Sequence, residues 1–354
     1  MKQEYPFVSV VIPTYNAASF IVPALQSVLK TDYPNYEILV VDDLSTDQTI
    51  DLIRKNFPKN PKIRLFKNKF KKLAAGTRNI GVKKSFGELI ALLDHDIEVD
   101  PKWLKEMIKV MDKYPDCGVV QGKVMDIKNR DIIQHAGVKI NAALGWVIPV
   151  GFGLKGKNHF TKEIQAFANA TGLMFKKEVW QKVNGFDEML EINTDDWDFN
   201  WRTNLYGFKH YFAPLSITYH WSKTQQTRDA WIKRTNWEFH FAKVPWIFIK
   251  NYELGNVFKY LPIYLIVNLG RGIFNLIFRL NPAPLLGFIY SIGWLMSNFS
   301  VLLKLRVLVQ RNRVISDSEL LTLFDTSNVV DYFLNHWFQA FKAGKKISTE
   351  KPYL

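Results

Sequence analysis

The sequence predicts an α/β fold with a mostly parallel sheet covered by helices on both faces, followed by a C-terminal apolar helical region. Three observations predict it. Short apolar runs alternate with helical patterns, two of these runs end in acidic clusters, and residues 280–303 include no charged side chain. Because 47% of the 354 residues are hydrophobic and 23% are charged, a disordered or collagen-like chain is excluded.

The N-terminal part of the chain alternates predicted strands with predicted helices. A run rich in β-branched residues predicts a strand at 7–13, and short apolar runs predict strands at 37–41, 63–66 and 88–93. Helical spacing predicts helices at 18–29, at 74–85, and up to Asn56 after the N-cap candidates Ser45, Thr46 and Asp47. Alternation of this kind produces a parallel sheet that binds ligands at the carboxyl ends of its strands, where both acidic clusters fall.

The middle of the chain continues with less regular elements. A helix is predicted to begin at Pro101, and residues 119–177 hold short strand-like runs separated by glycines. After a turn at 184–187, Asp195 opens a predicted helix through Tyr206, with Gly207 as its C-cap. An extended run then leads to His220.

The composition changes after residue 250. Residues 257–278 are apolar with polar interruptions, and residues 280–303 are long enough to span a bilayer. Several cations follow at once: Lys304, Arg306, Arg311 and Arg313. Membrane attachment is therefore expected, either spanning or interfacial, with a buried helical hairpin of a soluble domain as the alternative. We predict a catalytic domain at 1–250, a membrane-associating region at 251–315 and a tail at 316–354.

Charge, cysteine content and the N-terminus bear on partners and location. The net charge of +14 suggests polyanionic partners, but the basic residues gather near the apolar segments, so no nucleic acid is expected. The single Cys117 can form no intramolecular disulfide, which suggests a reducing compartment. The first residues do not resemble a signal peptide, so we expect a protein at the cytoplasmic face of the cell membrane.

The acids after the fourth predicted strand are the first candidate for chemistry. Asp94 and Asp96 lie one residue apart at a strand end, and such oxygen ligands suit Mg²⁺ or Mn²⁺ holding a diphosphate. Taken alone, this spacing is most often solvated surface charge. Its sequence context changes that interpretation.

Several strings occur in a characteristic order: V-S-V-V-I-P-T-Y-N from Val8, V-V-D-D-L-S-T-D-Q-T from Val40, A-A-G-T-R-N-I-G from Ala74, G-E-L-I-A-L-L-D-H-D from Gly87, G-L-M-F-K-K from Gly172, V-N-G-F-D-E from Val183, and D-D-W-D-F-N-W-R from Asp195. Together they resemble inverting glycosyltransferases of family 2, which have the GT-A fold. The resemblance covers roughly residues 7–251.

The resemblance implies a nucleotide-sugar site. Thr14 and Asp43 match positions that contact the nucleotide base, with Asp42 beside them, and Arg78 matches an arginine near the base and diphosphate. Further along the chain, Asp94 matches the position near the ribose and sugar. Gly172 matches a small residue near the donor sugar.

The resemblance also implies a metal and a base. Asp96 matches the direct ligand of Mn²⁺ or Mg²⁺, and His220 matches a metal-binding histidine. Asp94 lies beside them as the third predicted metal residue. Asp196 matches the acid that deprotonates the acceptor hydroxyl. Asp195 replaces the usual Glu in a supporting role. From spacing alone, Asp198 and Arg202 are expected to form an i, i+4 pair that is architectural.

We therefore expect a metal-dependent inverting transferase that moves one sugar from a nucleotide diphosphate sugar to a membrane-linked acceptor, a glycolipid or a polyprenyl-linked glycan. The alternatives are a nucleotidyltransferase, or a protein that binds nucleotide sugars without transfer. The first is disfavoured because no glycine-rich phosphate loop follows the first strand. A processive polysaccharide synthase is disfavoured because no Q-x-x-R-W motif occurs. The donor base and sugar are left open.

Overall fold

The computed structural model describes residues 5–156, 158–167, 172–221, 238–240 and 242–327. The chain forms two compact units, which are Met1–Gly137 with Pro149–Arg228, and Val138–Ile148 with Asp229–Leu354. The division at residues 250 and 315 stays a prediction about domains. Most of the predicted tail, from residue 328 onward, lies outside the described residues.

The described strands are, in chain order, β1 (Val8–Thr14), β2 (Tyr36–Asp42), β3 (Ile63–Lys67), β4 (Leu89–Leu92), β5 (Ile97–Val99), β6 (Cys117–Asp126), β7 (Ile133–His135), β8 (Val138–Ile140), β9 (Val147–Pro149), β10 (Leu173–Lys176) and β11 (Lys209–His220). A nine-stranded sheet has the order β3-β2-β1-β4-β10-β6-β11-β5, and β7 pairs with β6. β8 and β9 pair with each other. The four strands predicted from the N-terminal runs are confirmed to within about two residues.

The sheet is mixed, with parallel pairing through β3, β2, β1 and β4 and again between β6 and β11. β10 lies antiparallel between β4 and β6. Because β4 and β6 are both antiparallel to β10, they are parallel to each other, and β11 is parallel to β6. β4, β6 and β11 therefore all run in the same direction. Their carboxyl ends therefore meet at one edge of the sheet.

The helices of the first unit are α1 (Ile21–Leu29), α2 (Thr49–Asn56), α3 (Leu73–Lys84), α4 (Trp103–Lys113), α5 (Lys177–Lys182) and α6 (Asp195–Leu205). Successive side chains of β1 point to opposite faces of the sheet, and their contacts show that helices cover both faces. Val10 and Ile12 pack in the core with Leu25 of α1 and Met107 of α4. Val11 faces the other way, into a core that contains Val82 of α3 and Phe199 of α6. Helices on both faces, as predicted, are confirmed.

The α-helices whose bounds are described in the second unit are α7 (Val244–Asn251), α8 (Leu254–Arg279), α9 (Ala283–Ser297), α10 (Phe299–Arg311) and α11 (Asp317–Leu320). The uncharged stretch 280–303 is not one straight helix, because α9 and α10 meet at an angle of 74°. Asn298 marks the break, and its amide Nδ2 donates to the carbonyl oxygen of Trp294. The described helix with the length and hydropathy of a membrane span is α8, which contains an 18-residue window with a mean hydropathy of 1.5.

Several of the buried residues of α8 and α9 are small or polar. Asn268, Gly272 and Asn275 are buried on α8, and Gly287 and Ser291 are buried on α9. A Cβ on Gly272 would lie 3.0 Å from Cα of Leu285, so a larger residue there would force the helices apart.

Large apolar side chains instead cover the outside of α8, including Ile266 at 71% and Phe278 at 72% exposure. Apolar side chains on the outer face of a helix are the reverse of the usual arrangement in a water-soluble bundle, where that face is polar.

Candidate active site

The candidate site lies at the edge where β4, β6 and β11 end. Asp94 and Asp96 occupy the short link between β4 and β5, and His220 is the last residue of β11. Asp195 and Asp196 form the first turn of α6. Chain segments far apart in sequence thus supply acids and a histidine to one part of the fold.

Strand pairing brings Asp96 to His220. β5 runs antiparallel to β11 with Ile97 opposite His220, and the backbone N–H of Trp221 donates to the Asp96 carbonyl at 3.1 Å. Nε2 of His220 lies 3.5 Å from Oδ2 of Asp96, whose side chain is buried. Two of the three predicted metal ligands are therefore neighbours.

The third predicted ligand, Asp94, contacts an arginine in this structure. Nη2 of Arg78, on α3, donates to Oδ1 of Asp94 at 3.2 Å. Nη1 of the same guanidinium donates to Oδ2 of Asp195. Arg78 thus joins an acid that follows β4 to an acid that opens α6.

No group of three or more His, Cys, Asp or Glu side chains in the described part of the chain is arranged to hold a metal ion. Asp96 with His220 still fits a divalent cation that takes its other ligands from phosphate and water, as Mg²⁺ does in phosphate-binding sites. Adjacent ligands of an octahedral ion lie about 3 Å apart, close to the 3.5 Å that separates Nε2 from Oδ2. One carboxylate and one imidazole also match the donor preferences of Mn²⁺.

The Arg78 guanidinium is buried among acids. Burial alone would lower the pKa of Arg78, but the charges of Asp195, Asp94 and Asp196 outweigh it and raise the pKa above the ordinary value. Burial raises the pKa of Asp195, while Arg78 opposes that shift. Arg78 keeps its charge at any working pH and forms a buried ion pair with Asp195.

Asp196 differs from Asp195 in exposure. Asp195 is fully buried, whereas Asp196 is partly accessible to solvent. The amino end of α6 carries the positive end of the helix dipole, which favours the ionised form of carboxylates in its first turn. The accessible acid of the pair is therefore the one predicted to act as the base.

The predicted pair between Asp198 and Arg202 is confirmed. Nε of Arg202 donates to Oδ2 of Asp198 at 2.8 Å, and both side chains are buried. Nη2 of Arg202 also donates to the Gly185 carbonyl at 2.8 Å. The pair fastens the 184–187 turn to α6, which agrees with an architectural role.

The predicted base-contacting residues lie together at the ends of β1 and β2. The backbone N–H of Asp43 donates to the Thr14 carbonyl at 2.8 Å. The Asp43 carboxylate accepts from the backbone N–H groups of Lys72 and Leu73, at 2.8 and 2.9 Å, and so caps the start of α3. Asp42 is fully buried, and its Oδ1 has no hydrogen-bond partner within the described residues. Nucleotide contacts by these residues stay a prediction.

Gly172 lies next to the acidic loop because its N–H donates to the carbonyl of Leu92, at the end of β4. Its φ of +70° favours glycine, and a Cβ added at this position would lie only 3.1 Å from Oγ1 of Thr218. His95 lies near β1, with Nδ1 3.4 Å from the Pro13 carbonyl.

Two residues near the site were not predicted from the sequence. Nζ of Lys71 lies 2.8 Å from the ring centroid of Tyr15 and donates to the Asp43 carbonyl. Oε1 of Gln134 lies 2.7 Å from Nδ1 of His220. The basic string 67–72 is a possible signal for the lysine, but nothing in the sequence near Gln134 connects it with a histidine 86 positions later.

Residues 9–182 match the sequence profile of glycosyl transferase family 2. The O-antigen biosynthesis protein RfbC of Myxococcus xanthus is 25% identical over 252 residues, which are 68% of this chain and 19% of RfbC. The poly(ribitol-phosphate) beta-N-acetylglucosaminyltransferase TarS of Staphylococcus aureus (strain Mu50) is 32% identical over 131 residues, 36% of this chain and 22% of TarS. The chain thus spans about a fifth of the length of these curated relatives.

Solved structures share the fold. Residues 1–349 of S. aureus TarS in complex with UDP-GlcNAc give a TM-score of 0.56 at 17% identity, covering 86% of this chain and 89% of that one. The mannosyltransferase PcManGT of Pyrobaculum calidifontis, in complex with GDP-Man and Mn²⁺, gives a TM-score of 0.51 at 17% identity. The match covers 99% of this chain and 83% of the PcManGT chain. The likeness confirms the predicted GT-A fold class.

Proposed function

Since residues 9–182 of this chain belong to glycosyl transferase family 2, we propose that the protein is a metal-dependent inverting glycosyltransferase. It transfers one sugar from a nucleotide diphosphate sugar to a hydroxyl of a membrane-linked acceptor. The observation that carries the proposal is the convergence of Asp94, Asp96, Asp196 and His220 at one edge of the sheet.

Inversion requires attack on the anomeric carbon from the side opposite the leaving diphosphate. In the proposed reaction Asp196 accepts the proton of the acceptor hydroxyl as its oxygen bonds to the anomeric carbon. The bond from that carbon to the phosphate oxygen breaks, and its electron pair leaves with the nucleoside diphosphate. One base suffices because no covalent enzyme intermediate forms.

Asp96 and His220 would hold the divalent cation, which supplies charge to stabilise the leaving diphosphate when bound. The Mn²⁺ in the PcManGT structure supports this assignment. Arg78 contributes a second, permanent positive charge, and its contacts orient Asp94 and Asp195. With Asp195 held by Arg78, the neighbouring Asp196 remains the accessible carboxylate at the start of α6.

The relatives support the substrate class. TarS was crystallised with UDP-GlcNAc and PcManGT with GDP-Man, so a nucleotide diphosphate sugar is the donor class we propose. RfbC is named for O-antigen biosynthesis and TarS for a poly(ribitol-phosphate) acceptor. A hydroxyl of a lipid-linked envelope glycan is therefore the acceptor class we propose.

The second unit supports a membrane location, which we propose to be the cytoplasmic face of the cell membrane. The apolar outer surface of α8 and the small or polar residues buried on α8 and α9 are typical of helices surrounded by lipid. Arg271, inside α8, forms an ion pair with Glu238 at 2.5 Å, as a charge within an apolar helix requires. The helices would keep the enzyme near a lipid-embedded acceptor.

The test is a donor panel on the full chain. UDP, GDP, dTDP and CDP sugars are mixed with the protein and Mn²⁺, and thermal shifts identify the donor that binds. Release of nucleoside diphosphate with a lipid-linked glycan, and inverted anomeric configuration of the product by NMR, would support the proposal. Binding of a nucleotide sugar without transfer to any acceptor, or release of pyrophosphate from a nucleoside triphosphate, would contradict it.

A further inference from the structure

Gln134 lies against His220, one of the two proposed cation ligands. It is the middle residue of β7, between the buried Ile133 and His135, so strand alternation places it on the opposite side from these two side chains. Oε1 of Gln134 lies 2.7 Å from Nδ1 of His220. Nε2 of Gln134 donates to the carbonyl oxygen of His220 at 3.1 Å. One glutamine therefore contacts both the ring and the backbone of the histidine.

The orientation of the Gln134 amide follows from its other partners. Nε2 donates to the His220 carbonyl and, at 3.2 Å, to Oδ2 of Asp126. Both partners are acceptors, so they require the NH₂ group on that side and leave Oε1 facing the ring. Asp126 is itself held, because its Oδ1 accepts from the backbone N–H groups of Lys128 and Asn129, both at 2.9 Å.

This orientation decides where the imidazole carries its proton. The carbonyl oxygen of Gln134 cannot donate, so Nδ1 of His220 must be the N–H in the 2.7 Å hydrogen bond. A neutral imidazole has one such proton, so Nε2 carries a lone pair. Nε2 then faces Oδ2 of Asp96 across 3.5 Å, and two electron-pair donors face each other. A divalent cation can accept an electron pair from each of them.

We propose that Gln134 is a positioning residue that keeps His220 protonated on Nδ1, so that Nε2 and Asp96 together bind a divalent cation. The inference rests on the proposed metal-dependent function and extends it to a residue on β7. Ligating histidines commonly donate their second N–H to a fixed partner, and loss of that partner weakens metal binding about 10- to 100-fold.

The first test reads the tautomer directly, without a donor or acceptor. Full-length protein with ¹⁵N-labelled histidine rings is examined by long-range ¹H–¹⁵N NMR at about pH 8, above the ordinary histidine pKa of about 6.5. The His220→Gln variant assigns the His220 signals. We expect a proton on Nδ1 in the metal-free protein. A proton on Nε2 would overturn the inference, and this measurement needs no variant of Gln134 to fold.

The second test compares variants at Gln134 by adding Mn²⁺ alone and following the broadening of the His220 ring signals. Gln134→Leu removes the acceptor, so we expect loss of the single tautomer and about 10- to 100-fold weaker Mn²⁺ binding. Gln134→Glu keeps an acceptor and is expected to retain the Nδ1 proton. Gln181→Leu, an exposed glutamine on α5, is the matched control. Unchanged tautomer and unchanged affinity in Gln134→Leu would overturn the inference.

The outcomes separate this inference from the proposed function. A protein that transfers sugar although Mn²⁺ leaves its His220 signals unchanged would overturn the inference alone. A protein with the expected tautomer and Mn²⁺ response, but with no transfer from any donor, would overturn the proposed function alone.

Discussion

Arg78 and Asp195 form a buried ion pair although 117 positions separate them in the sequence. The pair connects α3 to the first turn of α6, next to Asp196. Arg78 also reaches Asp94 in the loop after β4. The position of the proposed base thus depends on the same guanidinium that orients an acid of the proposed donor site.

Removing Arg78 is expected to destabilise the fold. Arg78→Met leaves Asp195 as an uncompensated buried charge, and breaking a buried pair in this way costs about 3–5 kcal/mol. Chemical denaturation measures the loss. Arg54→Met, an exposed arginine on α2, is the control and is expected to change stability by less than about 0.5 kcal/mol. The double variant Arg78→Met/Asp195→Asn is expected to recover part of the loss, and failure to recover any would contradict the ion-pair assignment.

Replacing the proposed base is expected to affect turnover and not donor binding. Asp196→Asn keeps the shape of the side chain but cannot accept the acceptor proton, so kcat is expected to fall by about 10² to 10⁴. Initial rates and calorimetric donor affinity are measured together. Asp51→Asn, on the exposed side of α2, serves as the control. Full turnover in Asp196→Asn would assign the base elsewhere.

Replacing Asp96 is expected to abolish Mn²⁺-dependent donor binding, because only His220 of the proposed ligand pair would remain. Folding is expected to persist, as judged by circular dichroism. The measurement is calorimetry with donor in the presence of Mn²⁺ or of a chelator. Asp112→Ala, an exposed acid on α4, is the matched control and is expected to bind like the wild type. Equal affinity in Asp96→Ala would show that the cation lies elsewhere.

Charges on the outside of α8 are expected to weaken membrane binding. The double variant Ile266→Glu/Phe278→Glu places two carboxylates on side chains that are 71% and 72% exposed. A charged residue in the apolar centre of a bilayer costs about 2.5–3.5 kcal/mol or more. Flotation with anionic vesicles in high salt measures the binding, which we expect the wild type to retain.

The control for this experiment carries the same change in charge. Phe70 and Phe86, in the first unit, are 76% and 71% exposed, so Phe70→Glu/Phe86→Glu matches the α8 variant in chemistry and exposure. We expect it to float like the wild type. If both double variants floated equally well, the outer surface of α8 would not be the membrane contact.

Stability is expected to fall in acid partly because of His210. Burial lowers the pKa of His210 to about 3, against about 6.5 in an unfolded chain. Between these values the unfolded state binds the additional proton, so this contribution is lost as pH falls from about 6.5 toward 3, at about 1.4 kcal/mol per pH unit. His210→Gln is expected to show a shallower decline in denaturation experiments between pH 6 and 4.5. The exposed His159→Gln is expected to match the wild-type slope, and equal slopes in all three proteins would contradict the assignment.

Much of the first unit could be predicted from the sequence because its signals are local. The runs that became β1 to β4 are short and largely apolar, and the spacing of Asp198 and Arg202 placed them on one helix face. The break at Asn298 could not be predicted from hydropathy. Absence of charge marks an apolar segment, but it does not say where a helix bends.

The sequence by itself determined which acids follow the strands, because the side chains at a strand end depend only on where its apolar run stops. Only the tertiary structure decided how those acids pair. The contacts of Arg78 with Asp195, and of Gln134 with His220, join residues 117 and 86 positions apart. Neither contact has a local signal, since each depends on the sheet order that places β4, β6 and β11 with their ends at one edge and adds β7 beside β6.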